Sequence, residues 1–101
     1  MTTMTTTLVH VVLEETWFSI DELCRVAAVS PQWLDERLQA GLLAAEKRDG
    51  GQRFDARALR RARAMVRIEQ DFDAVPELAA LVVDLQDEIE RLRRSLQRLG
   101  G

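Results

Sequence analysis

Residues 19–41 read SIDELCRVAAVSPQWLDERLQAG, and this stretch decides the fold. It opens with a capping box, because the Ser19 hydroxyl can accept a hydrogen bond from the third helical N–H while the Glu22 carboxylate reaches back to the serine N–H. Ser30-Pro31 starts a second helix with an N-cap residue and a proline whose missing N–H costs nothing at the first helical position. Gly41 supplies the left-handed residue that ends this helix. Two short helices joined by a tight turn predict a helix-turn-helix.

A small hairpin is predicted downstream of these two helices. Two strand-like segments, Ala44–Lys47 and Gln52–Phe54, flank the turn sequence Asp49-Gly50-Gly51. Beside a helix-turn-helix, such a hairpin is a wing. Upstream, the valine-rich segment Leu8–Leu13 predicts a short strand or an extended lead-in, and His10 takes a place on one face of a strand there.

A third helix follows the hairpin, with Asp55 as its N-cap. Helical spacing predicts its buried side, which consists of Ala58, Leu59, Ala62, Met65, Val66 and Ile68. The segment Asp71–Val75 breaks the helical pattern, and Pro76 then opens a fourth helix.

The fourth helix carries the clearest periodic signal in the chain. Its apolar residues follow one another at intervals of four and three, which is the seam of a coiled coil: Leu78, Val82, Leu85, Ile89, Leu92, Leu96 and Leu99. A helix of about 24 residues is about 36 Å long, which is longer than a head of this size can cover. We therefore predict a homodimer in which the first six of these residues pair two chains. A helix folded back onto its own head is the alternative.

Length and composition agree with this organisation. The chain has 101 residues, which suits one compact core and one protruding element. Apolar residues make up 47% of the chain and charged residues 31%, which argues against disorder. The predicted fold class is mainly α, with a winged helix-turn-helix head at residues 1–71 and a C-terminal dimerisation helix, similar to a coiled coil, at residues 72–101.

The sequence predicts a cytoplasmic protein that does not enter a membrane. The longest apolar run, Leu78–Val83, is far too short to span a bilayer, and the threonine-rich start, Met1–Thr7, lacks the basic region of a signal peptide. The single cysteine, Cys24, cannot form an intrachain disulfide, which fits a reducing compartment. Because Cys24 lies in a helical apolar pattern, we expect a buried thiol rather than a reactive one.

Catalytic and metal-binding patterns are missing from the sequence. One histidine and one cysteine are too few for a tetrahedral zinc site, and Gly50-Gly51 lacks the rest of a phosphate-binding loop. Capping and solvation explain the paired carboxylates, because a chain this small offers little concavity in which to desolvate them. We predict no enzymatic activity, no cofactor and no metal.

The net charge of −3 hides an asymmetry along the chain. Residues 1–45 hold six acids and two arginines, a balance of −4, whereas the remainder holds twelve basic and eleven acidic residues. An acidic head attracts basic partners and repels phosphate backbones.

These motifs place the chain near two related families. The head resembles that of MerR-type transcription regulators in four segments that fall at that superfamily's spacing: Phe18–Leu23, Val29–Pro31, Gly41–Leu43 and Arg53–Asp55. Beyond the first seven residues, the whole chain resembles the chaperone modulator protein family (CbpM-like). The tail carries this closer match, in Glu69–Leu81, Asp84-Leu85, Glu88-Ile89 and Arg91–Arg93. The resemblance implies a cytoplasmic bacterial protein that binds the J-domain of a DnaJ-like, CbpA-type co-chaperone and inhibits its stimulation of DnaK.

The second helix favours a protein partner over DNA. DNA-binding MerR-like proteins usually carry Arg-Tyr-Tyr after the position that corresponds to Leu34, whereas this chain has Asp35-Glu36-Arg37. Two carboxylates would face a duplex that bears one negative charge per ~1.7 Å. A J-domain, as that family is known, carries a basic helix ahead of its His-Pro-Asp loop, and an acidic face suits such a surface. The predicted contact residues are Asp21, Glu22, Trp33, Asp35 and Glu36.

Two alternatives for the binding surface stay open. The third helix has a dense basic run, and further cations lie on the wing: Arg57, Arg60, Arg61, Arg63 and Arg67, with Lys47, Arg48 and Arg53. This run is either a solvated face or the footprint of a nucleic acid, and it supports the disfavoured alternative, a MerR-like DNA-binding transcription regulator. The J-domain contact could also involve the tail or the segment Asp71–Glu77. Of the two tryptophans, Trp33 is the predicted interface anchor and Trp17 the predicted packing residue.

Overall fold

The structure is a computed structural model that describes residues 16–100. Within this range the chain forms four helices and one two-stranded hairpin: α1 (Ile20–Ala27), α2 (Pro31–Gln39), β1 (Glu46–Arg48), β2 (Gly51–Arg53), α3 (Ala56–Phe72) and α4 (Pro76–Leu99). The predicted fold class is confirmed: a mainly helical chain with a helix-turn-helix, a hairpin wing and a long C-terminal helix. The predicted strand at Leu8–Leu13, with His10, lies outside the described residues.

The capping signals that predicted α1 and α2 are both present. The Ser19 hydroxyl accepts a hydrogen bond from the Glu22 N–H at 3.1 Å, and the Glu22 carboxylate accepts one from the Ser19 N–H at 2.9 Å. The Ser30 hydroxyl accepts from the Trp33 N–H at 3.0 Å. Ala28 ends α1 in the left-handed conformation (φ 59°). Only Val29 and Ser30 lie between it and Pro31, the first residue of α2.

The C-terminus of α2 confirms the role predicted for Gly41. This glycine has a φ of 75°, and its N–H donates to the Leu38 carbonyl at 3.1 Å. The next N–H, of Leu42, donates to the Arg37 carbonyl at 2.9 Å. This pair of bonds is a Schellman motif, which satisfies carbonyls that the end of a helix would otherwise leave unpaired.

The predicted hairpin is present, but its strands begin and end at residues other than the predicted ones. Strands β1 and β2 are antiparallel, with Glu46 opposite Arg53 and Arg48 opposite Gly51. The turn consists of Asp49 and Gly50 alone, both with positive φ (51° and 79°), as a tight primed turn requires. The prediction was therefore wrong to place Gly51 in the turn.

Phe54 does not belong to the hairpin, contrary to the prediction. Its backbone N–H and carbonyl exchange hydrogen bonds with those of Phe18, each at 2.8 Å. This isolated bridge joins the segment before α1 to the segment after the wing. The Phe54 side chain is fully buried, and Leu23 and Leu34 are buried to the same degree. Cys24 is buried too, as predicted, and burial raises the pKa of its thiol.

Helix α3 begins where predicted, because an oxygen of the Asp55 carboxylate accepts from the Ala58 N–H at 2.9 Å. Most of its predicted buried side is buried: Ala58, Leu59, Ala62, Met65 and Ile68, whereas Val66 is half-buried. The helix runs through Phe72, so the predicted break at Asp71–Val75 begins two residues too early. Asp71 and Phe72 tolerate helical geometry, and the helix stops only at Asp73, which adopts a left-handed conformation.

The described residues form two compact units that divide inside α3, between Arg63 and Ala64. In the second unit, Met65 and Ile68 of α3 are buried, as are Ala79, Ala80 and Val83 near the start of α4. The predicted domain boundary between residues 71 and 72 lies in the last turn of α3, and it stays a prediction. None of the described helices is both long enough and apolar enough to cross a membrane.

Candidate partner-binding face

Helix α2 presents two carboxylates to solvent. Asp35 and Glu36 are both exposed, and the Gln39 side-chain amide donates to the Asp35 carboxylate at 2.9 Å. Gln32, one turn before Glu36, is exposed as well. The accessible side of this helix is therefore polar and negatively charged.

The single cation of α2 is withdrawn from that surface. Arg37 is 7% exposed, and its guanidinium carbon lies 4.3 Å from the centre of the Trp33 ring. One guanidinium nitrogen also donates to the Trp33 carbonyl at 3.2 Å. Because a guanidinium over an aromatic face is attracted by the ring's quadrupole, Arg37 stays folded against the helix. The exposed charge of α2 is that of Asp35 and Glu36 alone.

The packing of Arg37 against Trp33 was not predicted, although the sequence contains a signal for it. Trp33 and Arg37 are separated by four positions, which places the two side chains on the same side of a helix. Trp33 itself is half-buried, so it offers a partner only part of its ring.

The other two predicted contact residues lie in the first turn of α1. Asp21 and Glu22 are both exposed, and α1 packs against α2. The hydrogen bond from the Ser19 backbone lowers the pKa of Glu22, with smaller contributions from the Ser19 hydroxyl, Arg25 and Arg53. This carboxylate is therefore ionised, and it is already engaged in capping α1. We call the set Asp21, Glu22, Trp33, Asp35 and Glu36 the acidic face.

The cations of the wing and of α3 are partly engaged in the fold. The Arg48 guanidinium lies 3.8 Å from the centre of the Trp17 ring and pairs with the Glu46 carboxylate at 3.4 Å. The Arg61 side chain donates to the Leu42 carbonyl at 2.7 Å. The remaining arginines of α3 are exposed: Arg57, Arg60, Arg63 and Arg67. Trp17 is half-buried, and its ring packs against the cation of Arg48.

A cleft of about 240 Å³ lies between the wing and α3. Arg53, Arg57 and Arg61 line it, with the Trp17 ring as part of its wall. The Asp55 carboxylate in this cleft is engaged in capping α3. Among the described residues, no group of three histidine, cysteine, aspartate or glutamate side chains is arranged to hold a metal ion.

The predicted dimerisation residues form an exposed apolar stripe along α4. Leu78, Leu85, Ile89 and Leu92 are each about half exposed, Leu96 is 68% exposed, and Val82 is half-buried. On the polar side of the helix, the Arg91 guanidinium donates two hydrogen bonds to the Glu88 carboxylate, which lowers the pKa of Glu88. The stripe is a surface of leucine and isoleucine that extends far beyond the buried residues at the start of α4.

The chain matches a known family over a range that includes all six described elements. The family model for MerR HTH family regulatory proteins matches residues 18–100. No curated protein matches the chain.

Proposed function

The chain belongs to the MerR HTH family of regulatory proteins. We propose that it regulates by binding a protein rather than DNA. Its partner in this proposal is the J-domain of a DnaJ-like co-chaperone, bound through the acidic face, and its effect is to inhibit the co-chaperone's stimulation of DnaK. The observation that carries the proposal is the surface of α2, where Asp35 and Glu36 are exposed and Arg37 is buried.

A duplex is a poor partner for such a helix. The second helix of a helix-turn-helix enters the major groove, and its specific contacts there commonly come from arginine, lysine, asparagine or glutamine. Helix α2 exposes Gln32 and Gln39 but no cation, and its two carboxylates would approach phosphates at close range. The balance of charge therefore opposes entry into the groove.

A basic protein surface suits the same helix. Opposite charges steer the encounter of two proteins and fix their register. Trp33 adds a partly exposed aromatic ring on the same helix, and aromatic residues are frequent energetic anchors at interfaces. The resemblance to chaperone modulators supplies the identity of the partner, and the charge of the acidic face agrees with the basic helix of a J-domain.

Inhibition in this scheme is steric and needs no catalysis. A J-domain whose basic helix is covered by the acidic face cannot present that helix to DnaK. The protein then acts in the cytoplasm, where the chaperone and co-chaperone work, and it uses neither cofactor nor metal.

The stripe on α4 makes a homodimer part of the proposal. Apolar patches of this length on a monomer are unusual and typically mark an interface. The a/d spacing of Leu78, Leu85 and Leu92, with Val82 and Ile89 between them, is that of a two-stranded coiled coil. Two copies that pair along α4 would cover the stripe and present two acidic faces.

A second candidate function rests on the exposed arginines of α3. In that case the protein is a MerR-like DNA-binding regulator whose affinity comes from phosphate contacts. It would bind duplex DNA with a steep salt dependence, and reversal of Arg53 or Arg60 to glutamate would abolish binding.

A pull-down from a cytoplasmic extract distinguishes the two functions. The tagged wild-type protein and the variant Asp35→Lys/Glu36→Lys serve as baits in parallel. We expect a J-domain protein that the wild type retains and the variant loses. A J-domain protein retained equally by both would mean that the partner is right and the acidic face is wrong. Nucleic acid recovered without any J-domain protein would favour the DNA-binding regulator.

A further inference from the structure

The turn between α3 and α4 exposes two apolar side chains. We call residues 71–77, with the sequence DFDAVPE, the elbow. Phe72 is 76% exposed and Val75 is 61% exposed. Apolar side chains that are exposed together, rather than singly, mark interaction sites on protein surfaces.

The backbone of the elbow is held on both sides. At the end of α3, Asp73 has a φ of 51°, and the Ala74 N–H donates to the Glu69 carbonyl at 3.2 Å. At the start of α4, the Val75 carbonyl accepts from the Ala79 N–H at 3.0 Å. Pro76 limits the backbone freedom of the same turn. A fixed turn presents Phe72 and Val75 with little conformational entropy left to lose on binding.

The charged residues that neighbour these two side chains in the sequence are all acidic. Asp71, Asp73 and Glu77 are all exposed. Between residues 68 and 90 the chain has eight acids and neither lysine nor arginine. Phosphate backbones and anionic lipid surfaces are repelled by such a segment.

We infer that the elbow is a second docking point for the J-domain, where Phe72 and Val75 pack on an apolar patch bordered by lysine or arginine side chains. This inference rests on the proposed function, which supplies the partner. The three carboxylates fit a basic surface, and a cation at the rim of the patch can also lie over the Phe72 ring.

The test measures the affinity of the full-length protein for a purified J-domain from the same organism. Phe72→Ala removes the ring, and Leu81→Ala removes an exposed apolar side chain outside the elbow and outside the seam of α4 as a control. We expect Phe72→Ala to weaken binding by about tenfold, the control to bind like the wild type, and both to remain dimeric by sedimentation. Asp71→Asn/Asp73→Asn should also weaken binding and flatten its salt dependence, since asparagine keeps the left-handed conformation accessible.

Two results would overturn the inference while the proposed function stands. In the first, Phe72→Ala binds the J-domain within about twofold of the wild type, as expected of a side chain outside the contact. In the second, Phe72→Ala becomes monomeric, which would assign the elbow to the basic end of a second copy, residues 91–98. A wild-type protein that binds no J-domain at all would instead refute the proposed function and this inference with it.

Discussion

Arg37 lies over the face of Trp33, with 4.3 Å between the guanidinium carbon and the centre of the ring. This contact decides the surface chemistry of α2. An arginine that pointed outward would offset one of the two neighbouring carboxylates and could contact a phosphate. Folded against Trp33 and 7% exposed, it leaves the helix with the charge of Asp35 and Glu36.

The first prediction concerns this contact. Arg37→Met keeps most of the side-chain length but removes the charge. We expect J-domain affinity to stay within about twofold of the wild type, because the charge does not reach the surface. Stability should fall by about 1 kcal/mol, from the lost cation–π contact and hydrogen bond. Calorimetric titration and urea unfolding measure the two quantities, and a folded Arg37→Met variant that no longer binds would contradict our description of α2.

A second prediction tests the N-cap of α2, which orients the acidic face. Ser30→Ala removes the acceptor for the Trp33 N–H, and the loss of such a cap costs about 1 kcal/mol. Ser95→Ala, within the long helix α4, serves as the control and should change the free energy of unfolding by less than about 0.5 kcal/mol. Equal stabilities for the two variants would show that the Ser30 cap contributes nothing.

The third prediction follows from the ionisation of Glu22. Its pKa lies below the ordinary value of 4.5, chiefly because its carboxylate accepts the hydrogen bond from the Ser19 backbone. A carboxyl group with a lower pKa in the folded state contributes stability above its unfolded pKa, and this contribution is lost as the pH falls through the folded value. Glu22→Gln, whose amide oxygen can still accept from Ser19, should therefore lose less stability than the wild type when the pH is lowered below 4.5. Parallel acid limbs in the two stability profiles would exclude this source of pH dependence.

A fourth prediction concerns the stripe on α4. Leu85→Asp and Ile89→Asp each place a carboxylate in the proposed seam, and both variants should sediment as monomers because a buried, unpaired charge is strongly unfavourable. Asp87→Asn, on the polar side of the same helix, should remain dimeric. If either seam variant stayed a dimer, pairing along α4 would be refuted.

Much of the fold could be predicted because its signals are local. Ser19, Ser30 and Asp55 mark the starts of helices through hydrogen bonds that span only three residues, and such bonds can be anticipated from spacing. The glycine that ends α2 acts in the same way. The length and periodicity of α4 were evident for a similar reason, since 24 helical residues with a 4,3 apolar repeat leave little choice of structure.

The error at Phe54 has a long-range cause. Phe54 fits a strand by composition, but its backbone pairs with Phe18, 36 positions earlier, and not with the wing. Pairing over such a separation leaves no mark in the neighbouring residues. The candidate site shows the same limit: the exposure of Asp35 and Glu36 was foreseeable from their charge, whereas the burial of Arg37 depends on how α2 packs in the head.

The most direct test of the account is the affinity of an isolated J-domain for three full-length proteins: the wild type, Asp35→Lys/Glu36→Lys, and Asp87→Lys/Glu90→Lys. The two variants carry the same change in net charge, but the second places it on the exposed polar side of α4. We expect the first variant to bind at least about tenfold more weakly than the wild type and the second to bind like the wild type. Equal affinities for all three proteins, or equal losses in both variants, would contradict the claim that Asp35 and Glu36 of the acidic face hold the partner.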